Sequence, residues 1–358
     1  MTGTMLGLGE RAPLFTAAGP GGATLGLDEL AGGGGVLCFF GSAADPAGRK
    51  VVDDLMRFGA GFDGVRWRLL AVSIDADDSR LGRVQDAGPG VRFLWDFDLE
   101  ISRRFGVASA EGYQRSAIVL DRRLRVLAVL PFDDDLDSYA ARLLRVLAAL
   151  PDPAGPAELS PPPVLLVPRV FEPGLCAALV EAYERDNRPA SAVVELDGLA
   201  VDLVDHDACV RRDHRLVDAN LLGAALQRFE RRLLPEVERA FAARPAGVGR
   251  HVVACYDAAE GGRWAAHRDW VDPAAPARFA VSVSLNQGFE GGGVCFPEYG
   301  PIAYTPPLGG ALVYSTALLH EVRPVTTGRR LAYVPQLCDA PAGGLPAAAL
   351  RSPAPAHV

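Results

Sequence analysis

The chain has one lysine, Lys50; its other basic residues are arginines. With the excess of alanine, glycine and proline, this points to a GC-rich bacterial genome. No basic run and no interleaving of basic and aromatic residues occurs, which argues against nucleic acid as a partner. No apolar run reaches the length of about eighteen residues that a membrane helix needs. The opening residues MTGTMLGLGERAP lack the charged-then-apolar pattern of a signal peptide. The six cysteines, Cys38, Cys176, Cys209, Cys255, Cys295 and Cys338, contain no C-x-x-C and no zinc spacing. Cys38, Cys255 and Cys295 lie in apolar runs, where a free thiol behaves as a small hydrophobe. The expected compartment is a reducing cytoplasm. Histidine is equally scarce, with six in all.

What is present is enough apolar sequence for two cores. The 358 residues are 49% hydrophobic, with a net charge of −8. The length suggests two domains. A proline-rich stretch over 151–163 reads as an extended linker, separating a domain over 1–150 from one over 164–340. The Ala- and Pro-rich tail 341–358, which carries His357, is expected to be disordered.

Chemistry concentrates between His251 and Gln336. His267 and Asp269 are two residues apart, so on a strand both side chains reach one face. His206–Asp207 and Asp213–His214 are adjacent pairs, which a strand would point to opposite faces. His320 follows the apolar run ALVYSTALL and supplies a third ligand. Two imidazoles and one carboxylate on one face of an ion leave positions open, as non-haem Fe(II) oxygenases require.

The order of surrounding residues carries more: Tyr256 ends VVACY, Arg278 begins RFAVSVSLN, a glycine turn spans Gly291–Gly293, and Arg329–Arg330 follow His320 by about ten residues. This segment resembles the prolyl 4-hydroxylase branch of the 2-oxoglutarate- and Fe(II)-dependent dioxygenases, over roughly the last two hundred residues. The resemblance implies an α+β domain built on a double-stranded β-helix, or jelly roll. It implies iron held by His267, Asp269 and His320, and the far carboxylate of 2-oxoglutarate held by Arg330, with Arg329 as the alternative and Tyr256 assisting. Arg211, Arg212, Asp213 and His214 fall in a region that folds over the active-site mouth in that family, and so are candidate substrate contacts. Trp264, Trp270 and Tyr299 flank the metal strands and are candidate pocket walls. Because Asp269 is present, hydroxylation or desaturation is expected in preference to halogenation.

Ahead of the linker, strands alternate with helices, which implies an α/β sheet with buried parallel strands. GERAPLF, VLCFF, AVSID and RSAIVLD match in position the peroxiredoxin branch of the thioredoxin fold. In that family a reactive cysteine opens the helix after the VLCFF-like strand, where the helix N-terminus lowers its pKa. Asp45 stands at that place here, and Arg115 matches the arginine that would polarise the peroxide site. Without its nucleophile, the domain is expected to serve binding or assembly.

The expected activity is hydroxylation of an unactivated C–H of an amino-acid-like or peptidyl substrate. It would consume 2-oxoglutarate and O2 and yield succinate and CO2, with ascorbate as an accessory reductant and a homodimer as the assembly. The competing expectation is an oxygen-sensing or assembly protein whose thioredoxin-like half binds a partner.

Overall fold

The computed structural model describes residues 5–339 apart from 89, 154, 156–159, 191, 197–198, 204–207 and 270–276. The expected tail 341–358 lies outside them. The chain divides into two compact units, Met1–Pro161 with Pro297–Gly300, and Pro162–Phe296 with Pro301–Val358.

The first unit is a five-stranded sheet flanked by helices. Its main elements are β1 (Gly34–Gly41), α1 (Pro46–Arg57), β2 (Trp67–Ser73), β3 (Val91–Trp95), β4 (Ser116–Leu120), β5 (Val126–Pro131) and α2 (Tyr139–Ala149). The strand order is β3-β2-β1-β4-β5. β1 is buried at every position, which is why VLCFF shows no alternation: both faces of a central strand are covered. β1, β2 and β3 run parallel, but β4 and β5 are antiparallel to their neighbours. The expected parallel sheet is therefore mixed. A parallel crossover needs a dozen or more residues, and the short turn after Leu120 permits only a hairpin. Pro46 opens α1, and the Asp45 carboxylate accepts from the Gly48 amide at 3.0 Å as its N-cap. The segment DDSRLGRVQDAG is helical only over Ala76–Arg80; Gly82, at φ 60°, turns the chain out of helical geometry.

The second unit begins with β6 (Val164–Val167) and α3 (Pro173–Arg185), followed by β7 (Arg212–Arg215), α4 (Ala219–Arg228) and α5 (Leu234–Phe241). The 218–242 pattern reads as one helix in the sequence; the structure inserts a π turn over Phe229–Leu233. Pro235 has no amide to donate and its ring crowds the carbonyl four residues back, so the turn before it widens. Then come β8 (Val252–Asp257), β9 (Arg263–His267), β10 (Ala277–Ser284), β11 (Val294–Cys295), β12 (Ala311–Ser315), β13 (His320–Val322), β14 (Arg329–Tyr333) and β15 (Gln336–Cys338).

These strands form two principal antiparallel sheets. The larger runs β6-β12-β10-β14-β8-β7, and the smaller places β9, β13 and β11 side by side. Alternation along the larger sheet divides the unit into two interiors. Val253 and Cys255, Val281 and Val283, Val313, Leu331 and Tyr333 face α3 to α5, packing on Leu179, Phe229, Leu233 and Val237. Phe171, Phe229 and Tyr333 pack there in tilted and edge-on pairs with ring centroids 5.7 to 5.9 Å apart; truncating such a ring costs about 3–5 kcal/mol. The residues between them, Tyr256, Ser282, Tyr314 and Arg330, face the smaller sheet and line a cleft. Among the described residues, no helix is long and apolar enough to cross a membrane.

Candidate metal centre

His267 and His320 are direct cross-strand partners on β9 and β13, where the ladder shifts register between Trp264 and His267. Their ring centroids are 4.3 Å apart. Each ring turns Nδ1 to the carbonyl two residues back: His267 to Ala265 at 2.8 Å and His320 to Leu318 at 3.0 Å. A carbonyl only accepts, so each Nδ1 carries the proton and each Nε2 keeps its lone pair. Asp269 lies beyond the end of β9, in a bend. Strand alternation is thus not what brings it to His267; the turn after the strand does, setting Oδ1 3.5 Å from His267 Nε2. The ligand atoms of His267, Asp269 and His320 all lie within 4.8 Å of one another.

The His267 Nε2 atom is buried and has no hydrogen-bond partner. Buried polar atoms are rarely left so, and a cation at the centre of the three ligand atoms would supply the missing partner. The nitrogen, nitrogen and oxygen donor set suits Fe(II) and leaves coordination positions open. Burial pushes the Asp269 carboxyl up, but the facing His267 ring, His320 and Arg250 outweigh it and hold the group well below the usual carboxylate range. Burial, then the neighbouring His267, pushes His320 down to about 4. Both groups therefore sit at neutral pH in the forms that bind metal.

Beside the triad lies a narrow cleft open to solvent. Arg330 lies in it, 1% exposed. Its Nη2 donates to Ser282 Oγ at 2.8 Å, while its Nε is buried without a partner. Among the described residues no carboxylate pairs with it. Burial lowers its pKa, and the phenol of Tyr256 lies beneath the guanidinium. Arg329 faces the other way, half exposed and paired with Glu184 Oε1 at 2.8 Å. The register of β14 thus separates the two arginines that the sequence leaves as alternatives.

The other expected site residues divide. Arg211 lies in the cleft, with its guanidinium carbon 4.3 Å above the Trp264 ring, its Nη2 on Asp213 at 2.7 Å and its Nη1 on the Tyr256 hydroxyl at 3.4 Å. Trp264 also lies in the cleft, stacked on His267 at 3.9 Å. Arg212 and His214 do not: their neighbours in the β7 register alternate to the opposite face, where Arg212 donates to Asn187 at 2.6 Å and His214 contacts the Asp186 carbonyl. Tyr299 belongs to the short segment grouped with the first unit, 4.5 Å below the Arg123 guanidinium, and does not wall the cleft. Trp270 lies outside the described residues. Sequence reasoning missed Arg250, Ser282 and Tyr314, which also line the cleft. The alternation in AVSVS and ALVYS was the available signal for the last two; Arg250 sits before its strand and carries none.

In the first unit, Asp45 pairs with Arg115 Nη2 at 3.1 Å, and Arg115 Nε donates to the Phe40 carbonyl. Cys38 is fully buried, and that burial pushes its thiol up to about 12.

Residues 8–129 match the family model for the AhpC/TSA family, so the first unit contains a peroxiredoxin-type, thioredoxin-like domain. Among solved structures, the peroxidoxin BcpB from Mycobacterium tuberculosis is 22% identical, covering 40% of this chain and 97% of its own, with a TM-score of 0.35. Mycobacterium tuberculosis AhpC is 21% identical over 41% of this chain and 93% of its own, with a TM-score of 0.34. A peroxiredoxin-like protein from Aquifex aeolicus is 18% identical over 41% and 90%, with a TM-score of 0.33. No curated protein matches the chain.

Proposed function

We propose that the second unit is a 2-oxoglutarate- and Fe(II)-dependent hydroxylase on a double-stranded β-helix. The observation that carries this reading is the cluster of His267, Asp269 and His320, with an orphaned imidazole nitrogen, next to an Arg330 guanidinium that lacks a carboxylate among the described residues. Bound iron would supply dioxygen activation coupled to decarboxylation of 2-oxoglutarate to succinate. The rest of the work belongs to the chain. His267 and His320 present Nε2 because backbone carbonyls hold their other nitrogens. Arg330 offers a planar fork to the distal carboxylate of 2-oxoglutarate, in a dry place where a charged hydrogen bond is strong. Ser282 and Tyr256 hold that fork in position. Tyr314 and Trp264 exclude water around the ligands.

The first unit acts in this reading as a binding or assembly domain, since Asp45 fills the place of a reactive thiol and closes an ion pair with Arg115. All six cysteines are free, in keeping with a cytoplasmic protein. The test is anaerobic titration of the full chain with Fe(II) and then 2-oxoglutarate, followed by succinate release on admitting oxygen. Binding of both, with succinate formed, supports the proposal; a chain that binds neither refutes it.

A further inference from the structure

Three guanidinium groups line the one cleft, those of Arg211, Arg250 and Arg330. The hydroxylase reading uses one of them. Arg211 is 7% exposed and half committed: its Nη2 is on Asp213, but its Nε is buried without a partner, and so is Asp213 Oδ1. Arg250 has no carboxylate partner among the described residues. It also holds a left-handed backbone, φ 53°, which a non-glycine residue adopts at a cost of about 1–2 kcal/mol. Both guanidiniums sit against the same indole, Arg211 at 4.3 Å and Arg250 at 5.7 Å from the Trp264 ring centre. That indole in turn stacks on the metal ligand His267.

The charges decide what is missing. A ferrous ion and a doubly ionised 2-oxoglutarate cancel each other. Among the described residues, Asp269 cancels one guanidinium and Asp213 a second, which leaves one guanidinium of the three lining the cleft. Arg250 is only partly buried, so water screens part of its charge, but Arg211 on the same indole is buried, and a surplus positive charge beside a buried guanidinium favours an anion. A neutral substrate leaves that surplus in place, whereas a substrate bearing a single negative charge offsets it.

We propose, on the basis of the hydroxylase reading, that the substrate is a small organic acid whose single carboxylate is received by Arg250 and Arg211 against Trp264. The arrangement selects free acids over uncharged amides or internal peptide positions. Arg250 supplies the unpaired charge, and Arg211 supplies the unused Nε donor and a rigid position set by Asp213 and the indole. A planar guanidinium stacked on an aromatic face keeps its edge available for a carboxylate. Trp264 thereby ties the anion to the neighbourhood of the metal ligands.

The experiment uses the full chain, anaerobic, loaded with Fe(II) and saturating 2-oxoglutarate. Calorimetry compares matched probes in which the carboxylate is the only charge: N-acetyl-L-proline with N-acetyl-L-prolinamide, N-acetyl-L-leucine with N-acetyl-L-leucinamide, and butyrate with butyramide. At least one acid is expected to bind, and its amide to bind at least about tenfold more weakly, as for loss of a charge-assisted contact. In Arg250→Gln the preference should fall to about threefold or less. Arg211→Gln should weaken the same acid, and each variant is first titrated with 2-oxoglutarate to show that the cleft is intact. The proposal is overturned if amides bind as well as acids, if no acid binds, or if the preference survives in Arg250→Gln. Failure of the wild type to take up Fe(II) and 2-oxoglutarate at the first step is a separate result and removes the hydroxylase reading itself.

Discussion

Tyr256 and Arg330 are direct partners across the antiparallel β8–β14 ladder, and the guanidinium carbon lies 5.4 Å from the centre of the phenol ring. The next pair along, Asp257 and Arg329, faces away from the cleft. One step of register therefore assigns the buried charge to Arg330 and the surface ion pair to Arg329. Arg330→Ala should weaken 2-oxoglutarate binding by about 1.5–3 kcal/mol, the range for a hydrogen bond to a charged group. Arg329→Ala loses only an exposed ion pair, worth about 0.2–1 kcal/mol in stability, and should leave the affinity close to that of the wild type. Calorimetric titration of both variants checks this; the reverse ranking would move the anchor to Arg329.

Removing either ligand on the β9 side should empty the metal site. His267→Ala and Asp269→Ala are expected to lose Fe(II) at stoichiometric concentration, measured by metal analysis after desalting, while circular dichroism stays that of the wild type. Retention of a full equivalent of iron by either variant would disprove the triad.

The glycine turn guards the Arg330 stem. A Cβ on Gly292 would meet Arg330 Cδ at 2.9 Å and Val325 Cγ2 at 2.8 Å, and the residue stands at φ 67°. Gly292→Ala should lower the melting temperature and weaken 2-oxoglutarate binding together, because the guanidinium must shift. A variant with wild-type affinity would show that the arginine tolerates displacement.

Peroxide chemistry should be absent from the first unit. Burial pushes the Cys38 thiol up to about 12, and only a thiolate attacks peroxide. With iron removed and a thiol reductant present, hydrogen peroxide consumption by the wild type should match that of Cys38→Ser. Turnover that depends on Cys38 would contradict this.

One acid-sensitive contact lies far from the metal. The carboxyl of Glu172 accepts from Arg228 and Arg232, and chiefly the Arg228 hydrogen bond lowers its pKa from 4.5 to about 2. A depressed carboxylate stabilises the fold fully above its ordinary pKa, and the contribution fades as pH falls toward the lowered value. Stepwise thermal melts should therefore show the wild type and Glu172→Gln converging as pH drops through that window. A gap that stays constant would remove Glu172 from the acid response.

Much of this was legible in the sequence, for identifiable reasons. The His-x-Asp spacing and the distal His320 point to three residues that do cluster in the structure, although Asp269 reaches the others by a turn and not by strand alternation. The buried run VLCFF located the central strand of the first unit. Alternation distinguishes Arg330 from Arg329 once the β14 register is fixed, and register is a property of pairing partners that a single strand does not contain. The same gap explains Arg212 and His214, which share a polar segment with Arg211 but point away from it. Arg250 was invisible because a left-handed residue ahead of a strand leaves no periodic mark. The π turn before Pro235 followed from the proline, yet helical periodicity ran through it unbroken.

On the proposed reading, the unpaired guanidinium of Arg330 would tie the lifetime of the protein to the supply of an anion. Without an anion, the native chain keeps an unbalanced charge inside; an acid that fills the cleft binds the native chain and not the unfolded one. At a hundredfold excess over its Kd, such an acid adds about 2.7 kcal/mol to stability, a large share of the usual margin of about 5–15 kcal/mol. When the acid becomes scarce, the chain unfolds more often and meets proteases more often. On the proposed reading, its abundance in the cell would then follow the supply of that acid.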